Sequence, residues 1–182
     1  FDYSAVTEAD DAVLGRYLAG LSAVAISRYS RPEQLAFWFN LYNAITVEVV
    51  LEHYPVVTIR DIDAAYRIGG PWRKKRITIE GERLSLDDIE HRIVRPIWRD
   101  PRVHYAFNCA AMGCPNLPPA AFTAANTEAL LEAAARDYVN HPRGVTVEDG
   151  QLRVSKIYKW YRADFGGDDA DVIAHLRRYA AP

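Results

Sequence analysis

"LAFWFNLYNAITVEVVL", residues 35–51, decides the fold because it is apolar on nearly every side. A helix that is hydrophobic all round must be buried. Just before it, Ser30 and Glu33 have the spacing of a capping box, and Pro32 is well tolerated in a first helical turn. The sequence therefore predicts one long helix at the centre of the molecule.

Two polar side chains, Asn40 and Asn43, lie three residues apart on one face of this helix. An unpaired buried polar group costs about 1–3 kcal/mol, so both amides need hydrogen-bond partners. We predict that both are more than half buried and bond to loop backbone or to the helix that carries Glu90 and His91. They either hold loops in place or line a site and orient a catalytic group or a substrate carbonyl.

Length and charge limit the class of protein. The 182 residues fit one domain over 1–182, and a chain of this size buries roughly 70% of its unfolded surface without needing a disulfide. The net charge of -2 gives no global attraction to nucleic acid or to an anionic membrane. We find no apolar stretch of about 18 residues that would predict a transmembrane segment. The expected partner is a small molecule, a peptide or a protein, and any targeting segment would precede Phe1.

The remaining pattern predicts an α+β fold. Alternating residues flank turns at Glu80-Gly81 and Asp149-Gly150, which predicts two hairpins. Helices are predicted from Thr7, from Ser85, over 126–140 and from Asp169, by their capping residues and apolar periodicity. We therefore expect a central buried helix and a short, mainly antiparallel sheet covered by helices.

Glu90 is the least explained charge in the chain. The helix from Ser85 to Pro96 has an apolar stripe, and Glu90 projects into it, so the carboxylate must be paired, protonated or functional. His91 lies on the flank of this helix. Adjacent helical residues diverge by about 100°, so we do not expect a direct bond between the two side chains. The stripe consists of Leu86, Ile89, Ile93 and Ile97.

Both cysteines lie in "HYAFNCAAMGCPNL", residues 104–117. Residues 100–108 alternate like a strand with His104 and Asn108 on one face, and the closely spaced prolines and glycine that follow predict a loop. Cys109 would then end the strand and Cys114 would lie in the loop. A zinc site is disfavoured because two cysteines with four residues between them, without a second pair, lack the usual spacing. A disulfide and a catalytic thiol both stay open.

The closing aromatic segment, "SKIYKWYRADF" at residues 155–165, is predicted to serve packing. Trp160 and Phe165 are expected to anchor it in the core, because aromatic side chains supply large apolar area. Lys156 is expected to face a polar partner.

Four blocks of sequence, in this order and spacing, resemble the family catalogued as domain of unknown function 547. The resemblance covers nearly the whole chain. It implies a secreted or periplasmic location, as in many bacterial members. It also implies thiol chemistry, since some eukaryotic members carry a glutaredoxin-like domain. Plant members keep residues matching Glu90, His91 and Cys109. They have serine at the position of Cys114 and no histidine at the position of His104, which weakens the case for a Cys109–Cys114 disulfide. The family is also similar in fold to the papain and transglutaminase group, although here the buried helix has no cysteine near its start. The blocks are residues 36–62, 83–96, 100–117 and 155–165.

Two functions of different class follow. In the first, Cys109 is the nucleophile of acyl transfer or of amide or thioester hydrolysis, which requires an exposed sulfur in a pocket with an imidazole nitrogen within about 4 Å. In the second, the same residues form a polar network that fixes the fold of a binding or scaffold module; thiol redox work on the two cysteines is a lesser alternative. Neither function calls for a metal or a cofactor. In the enzyme, His91 is the preferred base and His104 its rival, Glu90 orients the histidine, and Asn40, Asn43 or Asn108 donates to an oxyanion.

The two cysteines are predicted to differ in importance. Cys109 has a fixed direction at the end of its strand, whereas Cys114 precedes Pro115 in a loop. Replacement of Cys109 should therefore matter and replacement of Cys114 should not.

Overall fold

The computed structural model describes residues 1–62 and 70–181. It is a single-domain α+β fold, as predicted, with helices predominating. The helices are α1 Glu8–Ser22, α2 Arg31–Leu51, α3 Asp88–Trp98, α4 Val103–Ala106, α5 Thr127–Val139, α6 Lys156–Trp160 and α7 Asp169–Tyr179. The strands are β1 Ile77–Ile79, β2 Glu82–Leu84, β3 Val145–Glu148 and β4 Gln151–Val154.

Helix α2 is the central buried helix that the sequence predicts. Its capping box is formed, with the Ser30 backbone N–H donating to Glu33 Oε2 over 2.9 Å. Phe39, Leu41 and Val49 are fully buried on different sides of the helix. Because α2 has no solvent face along most of its length, the other elements and loops pack around it.

Both predicted hairpins are present, but they do not join into one sheet. Strands β1 and β2 pair antiparallel with Ile77 opposite Leu84, and β3 and β4 pair antiparallel with Val145 opposite Val154. Each pair forms its own two-stranded sheet. The predicted short sheet is therefore two separate hairpins, and the helices supply most of the core.

The prediction of a strand over residues 100–108 is wrong. Val103, His104, Tyr105 and Ala106 form one helical turn, α4, and all four are buried. Alternation indicates a strand only when one face is solvated, so a segment buried on every side carries no such signal. Cys109 consequently follows a helical turn and a short extended connection.

Helix α3 begins with the predicted capping box between Ser85 and Asp88, but its first part is π-helical. Over Asp88–Val94 the backbone is wider than an α-helix, and the Arg95 N–H bonds the Glu90 carbonyl, five residues back. This changes the predicted stripe, because Val94 is fully buried and Ile97 is 45% exposed. Short π-helical segments occur mostly at functional sites.

Two predictions for the closing segment fail. Trp160 is 59% exposed and Lys156 is exposed, with no bonded partner among the described residues. Ile157 and Tyr158 are buried in their place, while Phe165 is buried as predicted. Trp160 is the last residue of α6, so the packing of Ile157 and Tyr158 in the core does not carry its ring inward.

Trp160→Ala is therefore expected to lower the free energy of unfolding by less than about 1 kcal/mol, since exposed substitutions seldom cost more. Tyr158→Ala should cost about 3–5 kcal/mol, as for other buried aromatic truncations. Urea denaturation of the two variants checks this contrast, and comparable losses would restore the predicted anchoring role of Trp160.

A second cluster of buried residues joins α4, α5, α6 and α7. Tyrosines dominate it, and Tyr105 donates to the hydroxyl of Tyr158 over 3.2 Å.

Of the helices in residues 1–62 and 70–181, none has the length and apolar character needed to cross a bilayer.

Candidate functional site

A buried histidine lies between two carboxylates where α3 and α4 meet the segment after α6. His104 Nε2 is 2.7 Å from Asp164 Oδ2, and His104 Nδ1 is 3.5 Å from Glu90 Oε1. Both ring nitrogens therefore face a carboxylate, an arrangement that favours the protonated imidazolium form of His104.

The pKa shifts agree with this charge assignment. Burial alone would lower the pKa of His104, but the hydrogen bonds to Asp164 and Glu90 outweigh it and the pKa is raised. Burial alone would raise the pKa of Glu90, but the bond to His104 and the nearby cation of Arg95 lower it instead. Burial likewise opposes ionisation of Asp164, whose pKa is held far below its usual range by His104 and Arg95. All three shifts therefore favour the charged forms of these groups.

Arg95 and Tyr161 enclose this network on the solvent side. The Arg95 guanidinium donates to both oxygens of Asp164, over 2.6 and 3.1 Å. The Tyr161 ring stacks on the His104 ring with centroids 4.1 Å apart. The Arg95 guanidinium carbon lies 4.7 Å from the centroid of the Tyr161 ring. Burial and then the nearby Glu90 charge raise the pKa of Tyr161, so its phenol stays neutral.

His91 is the partly exposed histidine of the site. Its Nδ1 lies 3.1 Å from Arg95 Nη1, and since arginine only donates, Nδ1 must accept. The proton of the neutral ring is therefore on Nε2, which is 4.0 Å from Asp87 Oδ1 and too far for a hydrogen bond. The 3.9 Å between Nδ1 and Glu90 Oε1 is also too long, as the sequence predicts. Among the residues that the structure describes, no acceptor lies within hydrogen-bond distance of this Nε2–H.

A pocket of about 430 Å³ opens between the end of α3 and residues 163–164. Of its two carboxylates, Asp164 is bound by Arg95 and His104, and Asp100 is bound by Arg102. Its lining residues are His91, Arg95, Pro96, Arg99, Asp100, Ala163 and Asp164.

Arg99 is the exposed cation of this pocket. In the part of the chain that the structure describes, its guanidinium bonds the carbonyl oxygen of Pro96 and no carboxylate. Its backbone is left-handed, with φ of 53°, a conformation that favours glycine.

The asparagine predictions are confirmed in geometry. Asn43 is 8% exposed, and its amide accepts from the Asn108 backbone N–H and donates to the Ala106 carbonyl, both over 2.9 Å. Asn40 donates to the Phe122 carbonyl over 2.8 Å and accepts from the Phe122 backbone N–H over 2.9 Å. All four bonds go to backbone, so these amides hold loops against α2.

Cys109 and Cys114 are joined by a disulfide. Cys109 is partly exposed, and Cys114 is only 4% exposed. In this oxidised state Cys109 has no thiolate. It lines neither the pocket beside α3 nor a larger apolar groove of about 650 Å³ formed by α1, α2 and residues 117–122.

Residues 26–139 match the family model described as "Protein of unknown function, DUF547". The chain belongs to this family. No curated protein and no solved structure was found to match the chain. The matched region of this DUF547 chain contains α2, α3, α4, the disulfide loop and α5, while Asp164 and Tyr161 lie beyond it.

The structure brings together Glu90, His91 and His104 of the predicted site residues. It adds Arg95, Asp164 and Tyr161, which the sequence reasoning missed. Asp164 is the single acidic residue of residues 155–165, a segment interpreted as packing, and that carboxylate was the available signal. In the described ranges, no group of three or more His, Cys, Asp or Glu side chains is arranged to hold a metal ion. The relation to papain and transglutaminase stays a prediction.

Proposed function

We propose that this DUF547 protein is a binding domain that holds an anionic group, a carboxylate or a phosphate, in the pocket at the end of α3. The observation that carries the proposal is the charge of the pocket. Its carboxylates are already neutralised by Arg95, His104 and Arg102, whereas Arg99 has no carboxylate partner among the described residues. A small molecule or peptide that carries an anion would complete the pairing.

His91 and Arg95 support the same function through their orientation. Arg95 is fixed by Asp164 and in turn holds His91 Nδ1, so the Nε2–H of His91 is a preorganised neutral donor at the pocket. Preorganised donors lose little conformational entropy when a ligand binds. The volume of about 430 Å³ falls within the usual range for small-molecule sites.

The backbone of Arg99 is a further argument. A left-handed conformation costs a residue with a Cβ roughly 1–2 kcal/mol. Such strain persists most often where the side chain has a functional role. Glycine would suit the end of α3 better, so the presence of arginine favours a role for its guanidinium.

The cysteine-dependent enzyme predicted from the sequence is the second candidate, favoured by the partial exposure of Cys109. It requires two changes from the arrangement described above. The disulfide must be reduced to give a thiolate, and a histidine must be released to act as base, because both ring nitrogens of His104 face carboxylates and Nδ1 of His91 is occupied by Arg95. Turnover of a thioester only after reduction, and its loss in Cys109→Ser, would favour this candidate.

Arg99→Gly tests the binding function and is expected to separate binding from stability. The free energy of unfolding should rise by about 0.5–1 kcal/mol, because glycine adopts the left-handed backbone without strain. Affinity for inorganic phosphate or for succinate should fall about tenfold or more, since a charge-assisted hydrogen bond contributes about 1.5–3 kcal/mol. Isothermal titration calorimetry and urea denaturation measure the two effects.

Asp149→Gly is the matched control, because Asp149 also has a positive φ, 50°, but lies in the turn of the second hairpin. It should change stability in the same direction and leave anion affinity unchanged. If the wild-type protein binds neither anion, or if Arg99→Gly binds them as well as wild type, the proposed function is wrong.

A further inference from the structure

The loop that contains both cysteines is held at its ends by bonds that do not involve sulfur. Asn108 Nδ2 donates to the Pro115 carbonyl over 2.8 Å, and Asn108 Oδ1 accepts from the Ala110 N–H over 2.9 Å. Asn43 fixes the backbone N–H of Asn108 to α2. The two ends of the loop therefore stay together whether or not the disulfide is closed.

The middle of the loop is held in the same way. The Tyr138 hydroxyl donates to the Gly113 carbonyl over 2.5 Å, and Arg143 Nη1 donates to the Cys114 carbonyl over 3.1 Å. The Cys114 N–H also bonds the Ala111 carbonyl over 2.9 Å. Opening the sulfur bond would leave these contacts intact, so the two thiols would stay adjacent and ready to reoxidise.

The two cysteine residues differ in exposure. Cys109 is partly exposed, while Cys114 is 4% exposed and its carbonyl is bonded to the cationic Arg143. A thiolate from solution reaches Cys109 more readily than Cys114.

We infer that Cys109 and Cys114 form an exchange-active dithiol–disulfide pair, with Cys109 as the sulfur that meets an external thiol and Cys114 as the resolving sulfur. An external thiolate attacks Sγ of Cys109, forms a mixed disulfide and displaces Cys114 as a thiolate, which takes a proton. A second external thiolate attacks the external sulfur of the mixed disulfide and displaces Cys109. The net change is transfer of two electrons and two protons from two thiols, which become one disulfide, to the protein.

The reverse direction needs no other reactant. The Cys109 thiolate attacks an external disulfide and releases one external thiol. The Cys114 thiolate then attacks Sγ of Cys109 and releases the second. This activity is distinct from anion binding beside α3, since neither cysteine lines that pocket.

The first experiment equilibrates the wild-type protein with mixtures of reduced and oxidised glutathione and counts free thiols with a maleimide reagent. Reversible conversion between zero and two thiols is expected without denaturant, with an unchanged far-ultraviolet circular dichroism spectrum. Because the closed loop is short, reduction should lower Tm by no more than about 10 °C. A disulfide that is reduced only after denaturation, or a protein that unfolds on reduction, would overturn the inference.

The second experiment compares Cys114→Ser with Cys109→Ser, each treated with oxidised glutathione and followed by mass spectrometry. Cys114→Ser is expected to accumulate one glutathione on Cys109, because no resolving thiol remains. Cys109→Ser is expected to react at least about tenfold more slowly, because its remaining thiol is buried.

A wild-type measurement covers the case in which a variant fails to fold. The reduced protein is treated with less than one equivalent of iodoacetamide, and the alkylated residue is identified by peptide mapping. Label on Cys109 supports the inference. Label divided equally between the two cysteines, or found mainly on Cys114, contradicts it.

Discussion

Replacing His104 by alanine is expected to lower the free energy of unfolding by about 3–5 kcal/mol, the usual cost of breaking a buried ion pair by removing one partner. His104 is 4% exposed and donates to Asp164 over 2.7 Å. Asp164 keeps Arg95 as a partner after the change, but Glu90 loses the imidazolium that offsets its burial. Most of the loss therefore arises from Glu90.

Two further variants test this assignment by urea denaturation. His91→Ala should cost less than about 1 kcal/mol, because the side chain of His91 is 34% exposed and water can replace it. Adding Glu90→Gln to His104→Ala should recover part of the loss, because it removes the unpaired charge. If the double variant is no more stable than His104→Ala, the loss arises from packing against Tyr161.

The same variant should change the pH dependence of stability. The pKa of His104 is raised in the folded state by Asp164 and Glu90, against the effect of burial. The stabilisation is therefore complete below the unfolded value of about 6.5 and is lost as the pH rises through the folded pKa. Wild-type stability should decline over that alkaline window. Denaturation curves of His104→Ala should lack this decline, and an identical decline in both proteins would contradict the charge assignment.

Asn43→Ala is expected to lower the free energy of unfolding by about 2–4 kcal/mol. The change leaves the Ala106 carbonyl and the Asn108 N–H without their partner in a site that is closed to solvent, at about 1–3 kcal/mol for each group. Asn40→Ala is the matched comparison, because its bonds to Phe122 have the same form but the side chain is only partly buried.

The Asn40→Ala loss should be about 1 kcal/mol, since water can bond the freed backbone of Phe122. Thermal or urea denaturation ranks the two variants. Equal losses would show that burial does not decide the cost of removing these amides.

Structural features that depend on residues close together in the sequence could be predicted. The capping boxes at Ser30 and Ser85 and the turns at Gly81 and Gly150 involve residues within a few positions of each other. The burial of α2 could also be predicted, because its apolar residues cover every side. Asn40 and Asn43 were predictable as bonded amides since no other arrangement satisfies them, although their partners were not identifiable.

Features that depend on distant residues could not be predicted. The charge on His104 is set by Asp164, 60 residues away, so the sequence around His104 does not reveal it. α4 was missed because all of its residues are buried, and the π-helical part of α3 was missed because apolar periodicity was interpreted with the α-helical repeat of about 3.6 residues. The nucleophilic role of Cys109 stays a prediction, since it refers to the reduced state.

The amides of Asn40 and Asn43 have a consequence for the order in which the chain folds. They join α2 to backbone 82 and 63 residues further along, so each bond requires a long loop to close first. Closure of long loops slows folding, whereas α2 consists of local contacts that form early. We therefore expect α2 to form before residues 106–122 dock on it, and we expect this docking to be the slower step.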